Sequence, residues 1–171
     1  MKVFGLIGKE LSYSFSPIYF KEKFIKEHFE GMYLAFEVLN EKGLSNFLDW
    51  ARGAVSGLNV TIPYKEAVIP YLDTLSKAAH EIKAVNCIEI TKEGMLIGHN
   101  TDYLGFLDPL SSFLDAGNIQ KALVLGTGGA SKAVEYALKE KEIEVQLVSR
   151  QSTQGVWSYT TLEEHHLNEF N

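Results

Sequence analysis

Short apolar runs alternate with stretches of helical spacing along the chain. "KVFGLIG" (2–8) and "YLAFEVL" (33–39) predict buried strands, and between them Phe20, Phe24, Ile25 and Phe29 recur at the intervals of one helix face. A second helical stretch, "KGLSNFLDWA", leads to the strand "VSGLNVTI" and then to a helix opened by Lys65. The runs "AVNCIEI" and "MLIGH" flank the turn "TKEG" and predict a hairpin. Strand and helix alternate until that hairpin closes the unit. The pattern predicts an α/β domain over residues 1–101, with a mostly parallel sheet and an antiparallel edge.

A helical run, "TDYLGFLDPLSSFLDAG", opens a second unit: strand "KALVLG", glycine turn "TGGAS", helix "KAVEYALKEK" and strand "EVQLVSR". This is one βαβ module of a Rossmann-like dinucleotide-binding domain, over residues 102–171. Past Arg150 the residues carry scattered aromatics and no clear strand pattern. A doubly wound sheet needs more than two strands, so the chain is expected to stop inside that fold. The strand at 144–150 is expected to be an uncovered edge, and its unpaired backbone groups predict a homodimer formed through it.

Charge and composition narrow the partners. A formal charge of −6 with no basic cluster argues against nucleic acid and anionic membranes. The N-terminal apolar run is too short for a secretion signal and no membrane span follows, so the expected location is cytoplasmic. Cys87 is the single cysteine, which excludes an intrachain disulfide and reads best as a small buried thiol. His165 and His166 stand in a polar tail without further ligands, and no metal is expected there.

The turn "LGTGGAS" follows a buried strand and opens a helix, the setting in which a glycine pattern binds a dinucleotide. Gly126 suits the tight turn, Gly128 the close approach of a pyrophosphate, and the helix amides its charge. Ser131 takes the third position, where Gly or Ala is usual. The next strand ends in Ser149 and Arg150 with no acid, which favours the 2′-phosphate of NADP. The alternative is that the glycines serve only a tight turn.

The first unit carries polar residues at strand ends. In "YSFSPIYF" Pro17 suits the start of a helix, Ser16 its N-cap, and Ser14 has no capping role; the pair suits either a carboxylate cradle or capping alone. Asn59, Thr61, Asn86 and Asp102 follow, at the end of the sheet where open α/β folds bind ligands. Thr61 also suits an ordinary strand position, and Asp102 a helix cap. Asn86, between Val85 and Cys87, needs partners for its amide. Lys65 has the wrong sign for the positive end of a helix dipole, unless an amine that releases its proton is wanted there. Moving hydride between an alcohol carbon and NADP requires one such acid/base group at the alcohol oxygen.

Together "SFSP", "NVTIPYK", "AVNCI", "GHNTDYLGF", "GTGGAS" and "SR" resemble, in order and spacing from residue 5 to about 150, the NADP-dependent shikimate dehydrogenase family. The resemblance implies an enzyme that reduces 3-dehydroshikimate to shikimate. It implies that Ser14 and Ser16 bind the substrate carboxylate, that Lys65 and Asp102 are the catalytic pair, and that Asn59, Thr61 and Asn86 line the hydroxyl site. It also implies that Gly126, Thr127, Gly128, Gly129, Ala130 and Ser131 hold the pyrophosphate, while Ser149 and Arg150 meet the 2′-phosphate. The family often has His where Tyr13 stands, His-Asn in place of Tyr19-Phe20, and Asn-Arg-Thr in place of Ser149, Arg150 and Gln151. Members continue for about another hundred residues, so a C-terminally truncated chain with little activity is expected. A quinate/shikimate dehydrogenase and a non-catalytic shikimate- or partner-binding fragment are the alternatives.

Overall fold

The computed structural model describes residues 1–114, 119–164 and 170. The chain divides into two compact units, Met1–Asn100 and Thr101–Asn171.

In the first unit the chain runs β1 (Lys2–Gly8), α1 (Ser16–Lys26), β2 (Gly31–Glu37), α2 (Glu41–Ala54), β3 (Gly57–Val60) and α3 (Tyr64–Ala67). After a 3₁₀ turn, Ile69–Tyr71, come β4 (Thr74–Leu75), α4 (Lys77–Ile82), β5 (Cys87–Ile90) and β6 (Leu96–His99). The six strands lie in the order β2-β1-β3-β5-β6-β4. β5 is antiparallel to both of its neighbours, β3 and β6, whereas the other adjacent pairs are parallel. The hairpin is therefore present, but its antiparallel strand sits inside the sheet and not at the expected edge. The parallel two-residue strand β4 takes the outer place beside β6.

The helix expected from Lys65 onward is a single turn. Pro70 lies in the 3₁₀ turn that follows it, and α4 then starts anew on Ser76, whose hydroxyl accepts from the Ala79 amide at 3.2 Å. α2 is capped similarly, with Asn40 Oδ1 accepting from Gly43 N at 2.9 Å.

The two faces of this sheet are packed unequally. Against α2, α3 and α4 lies the main core, with Ile7, Leu44, Leu48, Val68, Val85, Ile88 and Leu96 all removed from solvent. Under α1 lies a smaller aromatic cluster of Leu6, Leu11, Tyr33, Phe4, Phe20 and Phe24. Arg52 of α2 fastens the outer side of the sheet: it donates to the Asp73 carboxylate and, at 2.9 Å, to the Gly94 carbonyl in the hairpin turn. Asp73 also accepts from Leu96 N at 2.7 Å, so one carboxylate ties α2 to the start of β6.

In the second unit α5 (Asp102–Leu114) precedes β7 (Lys121–Leu125), α6 (Gly129–Glu140) and β8 (Glu144–Ser149). The last three residues of the predicted helical run, 115–117, lie outside the described residues. β9 (Val156–Ser158) and α7 (Tyr159–Glu164) follow where the sequence predicts no strand. Three residues are too few to display a period of two, which is why β9 left no pattern. Strand order is β7-β8-β9, all parallel. β9 therefore covers β8, and the expected free edge at 144–150 is not one. α5 and α6 enclose a core of Val124, Leu138 and Ile143 with Phe106 and Leu110.

Among the described residues no helix is long and apolar enough to cross a membrane, and no group of three His, Cys, Asp or Glu side chains is placed to hold a metal ion. His165 and His166 lie outside the described residues.

Candidate active site

Reversing one strand inside a parallel sheet brings distant residues together. β3 ends where β5 begins, because the two are antiparallel, and Asn59 lies directly opposite Cys87. Val60 N donates to Asn86 O at 2.8 Å, and Asn86 N to His99 O at the end of β6 at 3.0 Å. Thr61 N donates to Ile7 O near the end of β1 at 2.9 Å. The ends of β1, β3 and β6 and the start of β5 thus converge, as strand ends do where open α/β sheets bind ligands.

Asn59, Thr61, Lys65 and Asn86 are tied to this convergence through the backbone. Lys65 is the second residue of α3, and its carbonyl accepts from Val85 N at 2.7 Å, which ties it to the segment leading into Asn86. The dipole argument for Lys65 is weaker than the sequence suggests, since a four-residue helix aligns few peptide dipoles. Asn86 is 8% exposed, and no buried side-chain nitrogen or oxygen among the described residues lacks a partner, so its amide is satisfied.

The serines exchange their expected roles. Phe15, not Ser16, occupies the N-cap position and supplies no side-chain cap, while Ser16 is already helical. Ser14 Oγ accepts from Ser16 N at 3.4 Å, so the weak capping contact comes from the serine with no expected capping role.

Tyr33 is a residue that sequence reasoning missed. Its hydroxyl donates to Asn59 Oδ1 at 2.8 Å, and Asn59 Nδ2 lies 3.5 Å from Asn86 O. Burial is the main reason that its proton is held far more tightly than in a free tyrosine, so it remains a donor at every working pH. Asn100 was also missed. It is buried and donates from Nδ2 to Ala84 O at 2.9 Å, bracing the segment before Asn86 from the far side. Its place in "GHNTD" was the available signal; for Tyr33 the signal was a polar aromatic amid strand residues.

A cavity of about 390 Å³ opens under α1, lined by Phe20, Phe24, Tyr33, Asn59, Cys87 and Glu89 among others. It reaches Asn59 and Cys87 at the strand ends but none of Ser14, Ser16, Thr61, Lys65 or Asn86. Cys87 is half-buried, not buried as expected. Desolvation first, and then the Glu89 carboxylate, raise its pKa and keep it a neutral thiol.

Asp102 belongs to the second unit. It is the first residue of α5 and not the residue before it, and a carboxylate in a first turn has the favourable sign for the dipole. The glycine turn also lies in this unit. Gly126 has φ +121°, and a Cβ there would stand 2.8 Å from Ser131 Oγ, so the tight turn requires glycine. At Gly128 a Cβ would meet no protein atom within 4 Å, which leaves the approach to α6 open.

Gly128 caps α6 without a side chain, and the first turn holds no acid. The amides of Gly129, Ala130 and Ser131 therefore face outward at a positive helix end, as a pyrophosphate needs. A hollow of about 340 Å³ beside the turn is lined by Thr127, Ser131 and Ser149. Arg150 is exposed just past β8. This donor set fits NADP: amides for the pyrophosphate, and a hydroxyl with a guanidinium at the strand end.

The family profile of the shikimate dehydrogenase substrate binding domain matches residues 6–88. Shikimate dehydrogenase (NADP(+)) of Pyrococcus abyssi is 45% identical over 141 residues, 82% of this chain and 52% of that protein. The protein of the same name from Caldanaerobacter subterraneus subsp. tengcongensis is 40% identical over 152 residues, 88% of this chain and 54% of that protein. The crystal structure of shikimate 5-dehydrogenase from Thermus thermophilus in complex with NADP(H) and shikimate is 34% identical. It superposes with a TM-score of 0.80 over 92% of this chain and 62% of that one. The chain spans about half the length of these curated relatives. Its motifs, its strand-end geometry and these matches agree that residues 6–88 are a shikimate dehydrogenase substrate binding domain.

Proposed function

We propose that the chain carries the substrate-binding unit, and part of the cofactor-binding unit, of an NADP-dependent dehydrogenase that interconverts 3-dehydroshikimate and shikimate. The observation that carries this reading is the linked set Tyr33, Asn59 and Asn86 at the strand ends, with Lys65 fastened to the same segment.

Ser14 and Ser16 serve the substrate carboxylate, at a helix start whose dipole favours an anion. Asn59, Thr61 and Asn86 serve the ring hydroxyls, for which rigid amides and a hydroxyl offer both donors and acceptors. Bound NADPH would supply the hydride. The chain's own part in that step is the proton: Lys65 gives one to the oxygen of the reducible carbonyl as it becomes a hydroxyl, and takes it back in the reverse direction. Asp102 is assigned the place of the second catalytic residue. Gly126 to Ser131 hold the pyrophosphate, and Ser149 with Arg150 hold the 2′-phosphate.

A homodimer through the second sheet would pair along the outer side of β7, whose last residue Leu125 is 60% exposed. A strictly monomeric species by light scattering at high concentration contradicts it.

The catalytic reading is tested by shikimate-dependent reduction of NADP, at protein concentrations high enough to follow slow turnover. Lys65→Ala is expected to lower the rate by about 10²–10⁴-fold, the usual contribution of one positioned acid/base group. Equal rates for the two proteins contradict the role given to Lys65.

A further inference from the structure

Ser14, assigned to the substrate carboxylate, lies on a connection with little of its own to hold it. Residues 9–15 join β1 to α1, and Tyr13 and Phe15 are each 69% exposed, so the aromatic side chains of this loop do not anchor it. Leu11 does. Its side chain is 5% exposed in the cluster under α1, and both of its backbone groups are engaged. Leu11 O accepts from Ser14 N at 2.9 Å, closing a turn over residues 11–14, and Leu11 N donates to Glu37 Oε1 at 2.7 Å.

Glu37 is the last residue of β2 and pairs with Gly8, the last residue of β1. Val38 N donates to Gly8 O at 2.9 Å, so the backbone around Glu37 is fixed against the strand from which the loop departs. The carboxylate thus reaches the loop from a rigid base. It supplies a partner to an amide that has left the sheet and has no ladder to join. A bond to an ionised acceptor is also roughly twice as strong as one between neutral groups.

A carboxylate bonded to the turn that carries Ser14 has the wrong sign for attracting an anionic substrate. Its contact with Leu11 gives it a different use. From this geometry we infer that Glu37 is a positioning residue for substrate: by accepting from Leu11 N it sets the turn over residues 11–14, and with it the place of the Ser14 hydroxyl, without touching substrate itself. The inference rests on the shikimate-binding reading above. It makes carboxylate recognition depend on β2, the outermost strand of the sheet.

The test is a titration of the whole chain with shikimate and, separately, with its methyl ester, which lacks the charged carboxylate. Amide chemical shifts follow both titrations, so that millimolar binding is measurable. Three variants separate reach from charge. Glu37→Gln keeps an acceptor oxygen at the same reach, Glu37→Asp keeps the charge but withdraws it by one methylene, and Glu37→Ala removes both. The dissociation constant of shikimate is expected to rise about tenfold in Glu37→Ala and Glu37→Asp, and to stay within about threefold of wild type in Glu37→Gln. Affinity for the ester should change less than about twofold in all three, because the turn serves the carboxylate. Since Glu37 acts through Ser14, the losses should not add: Ser14→Ala should cost at least about threefold less in the Glu37→Ala background than in the wild type.

A residue that only stabilises the fold would lower the unfolding midpoint and leave the difference between acid and ester untouched. Shikimate affinity within about twofold of wild type for Glu37→Ala, equal losses for shikimate and its ester, or strictly additive losses with Ser14→Ala overturns the inference. A loss in Glu37→Gln as large as in Glu37→Ala overturns it as well. No shikimate binding by the wild type overturns the functional reading itself, and this inference with it. Should Glu37→Ala not fold, the cycle of Glu37→Asp with Ser14→Ala replaces it, and additive losses there overturn the inference equally.

Discussion

Replacing Gly126 by alanine separates two constraints that the glycine turn imposes at one position. The backbone φ of +121° is one that residues with a Cβ rarely adopt, and holding such a conformation costs about 1–3 kcal/mol. The new Cβ would also stand 2.8 Å from Ser131 Oγ. That oxygen ends a side chain with one rotatable bond, and displacing it by about 30° from its well costs roughly 0.5–1.5 kcal/mol. At about 4–8 °C per kcal/mol for a domain of this size, the second unit should unfold on the order of 10 °C lower. Hydrogen exchange of β7 peptides, read by mass spectrometry, reports that unit by itself. The companion variant, Gly126→Ala with Ser131→Ala, removes the hydroxyl but not the φ requirement, so it should recover the smaller part of the loss. Unchanged exchange in Gly126→Ala, or complete recovery in the double variant, would refute the backbone argument.

Two further outcomes concern the first unit. The hydrogen bond from Arg52, and secondarily the Leu96 amide, hold the Asp73 carboxyl below the usual carboxylate range. A depressed value contributes stability that is present above the unfolded value of about 3.9 and is lost as pH falls through the folded one. Asp73→Asn should therefore be less stable than wild type near neutrality, with the difference closing in acid below about pH 4; a difference that stays constant from neutrality to strong acid contradicts the linkage. Leu48 of α2 is 1% exposed in the main core, and Leu48→Ala should lose about 2–5 kcal/mol in denaturant unfolding. A loss under about 1 kcal/mol would mean that the core under α2 closes over the cavity.

Local rules read some of this molecule well. The βαβ module was legible because a continuous apolar strand, a glycine turn and an amphipathic helix each declare themselves within a few residues. The hairpin was legible from its turn, where Gly94 has φ +82°. What escaped depends on contacts between segments. Nothing in "AVNCIEI" says that its strand enters the sheet beside β3 and not at the margin, and that insertion is what sets Asn86 against Asn59. β4 and β9, of two and three residues, are too short to carry a period.

The serines show the same limit at finer scale. Ser16 before Pro17 has the composition of an N-cap, but the helix takes Ser16 as its first residue, and Ser14 accepts its amide instead. Composition marks the helix start but does not say on which of the two serines the helix begins. Lys65 and its motif were legible as a group, since "NVTIPYK" is contiguous; the shortness of its helix was not, because Pro70 permits several continuations.

The central claim is that the strand-end cluster of the first unit is a shikimate site. Isothermal titration of shikimate into the chain tests it most directly, alongside a variant carrying Ser14→Ala and Ser16→Ala. The account predicts saturable binding of one shikimate per chain that the double variant weakens by about tenfold or more, as expected on loss of hydrogen bonds to a charged carboxylate. Absence of saturable heat at millimolar shikimate, or equal binding by both proteins, would contradict it.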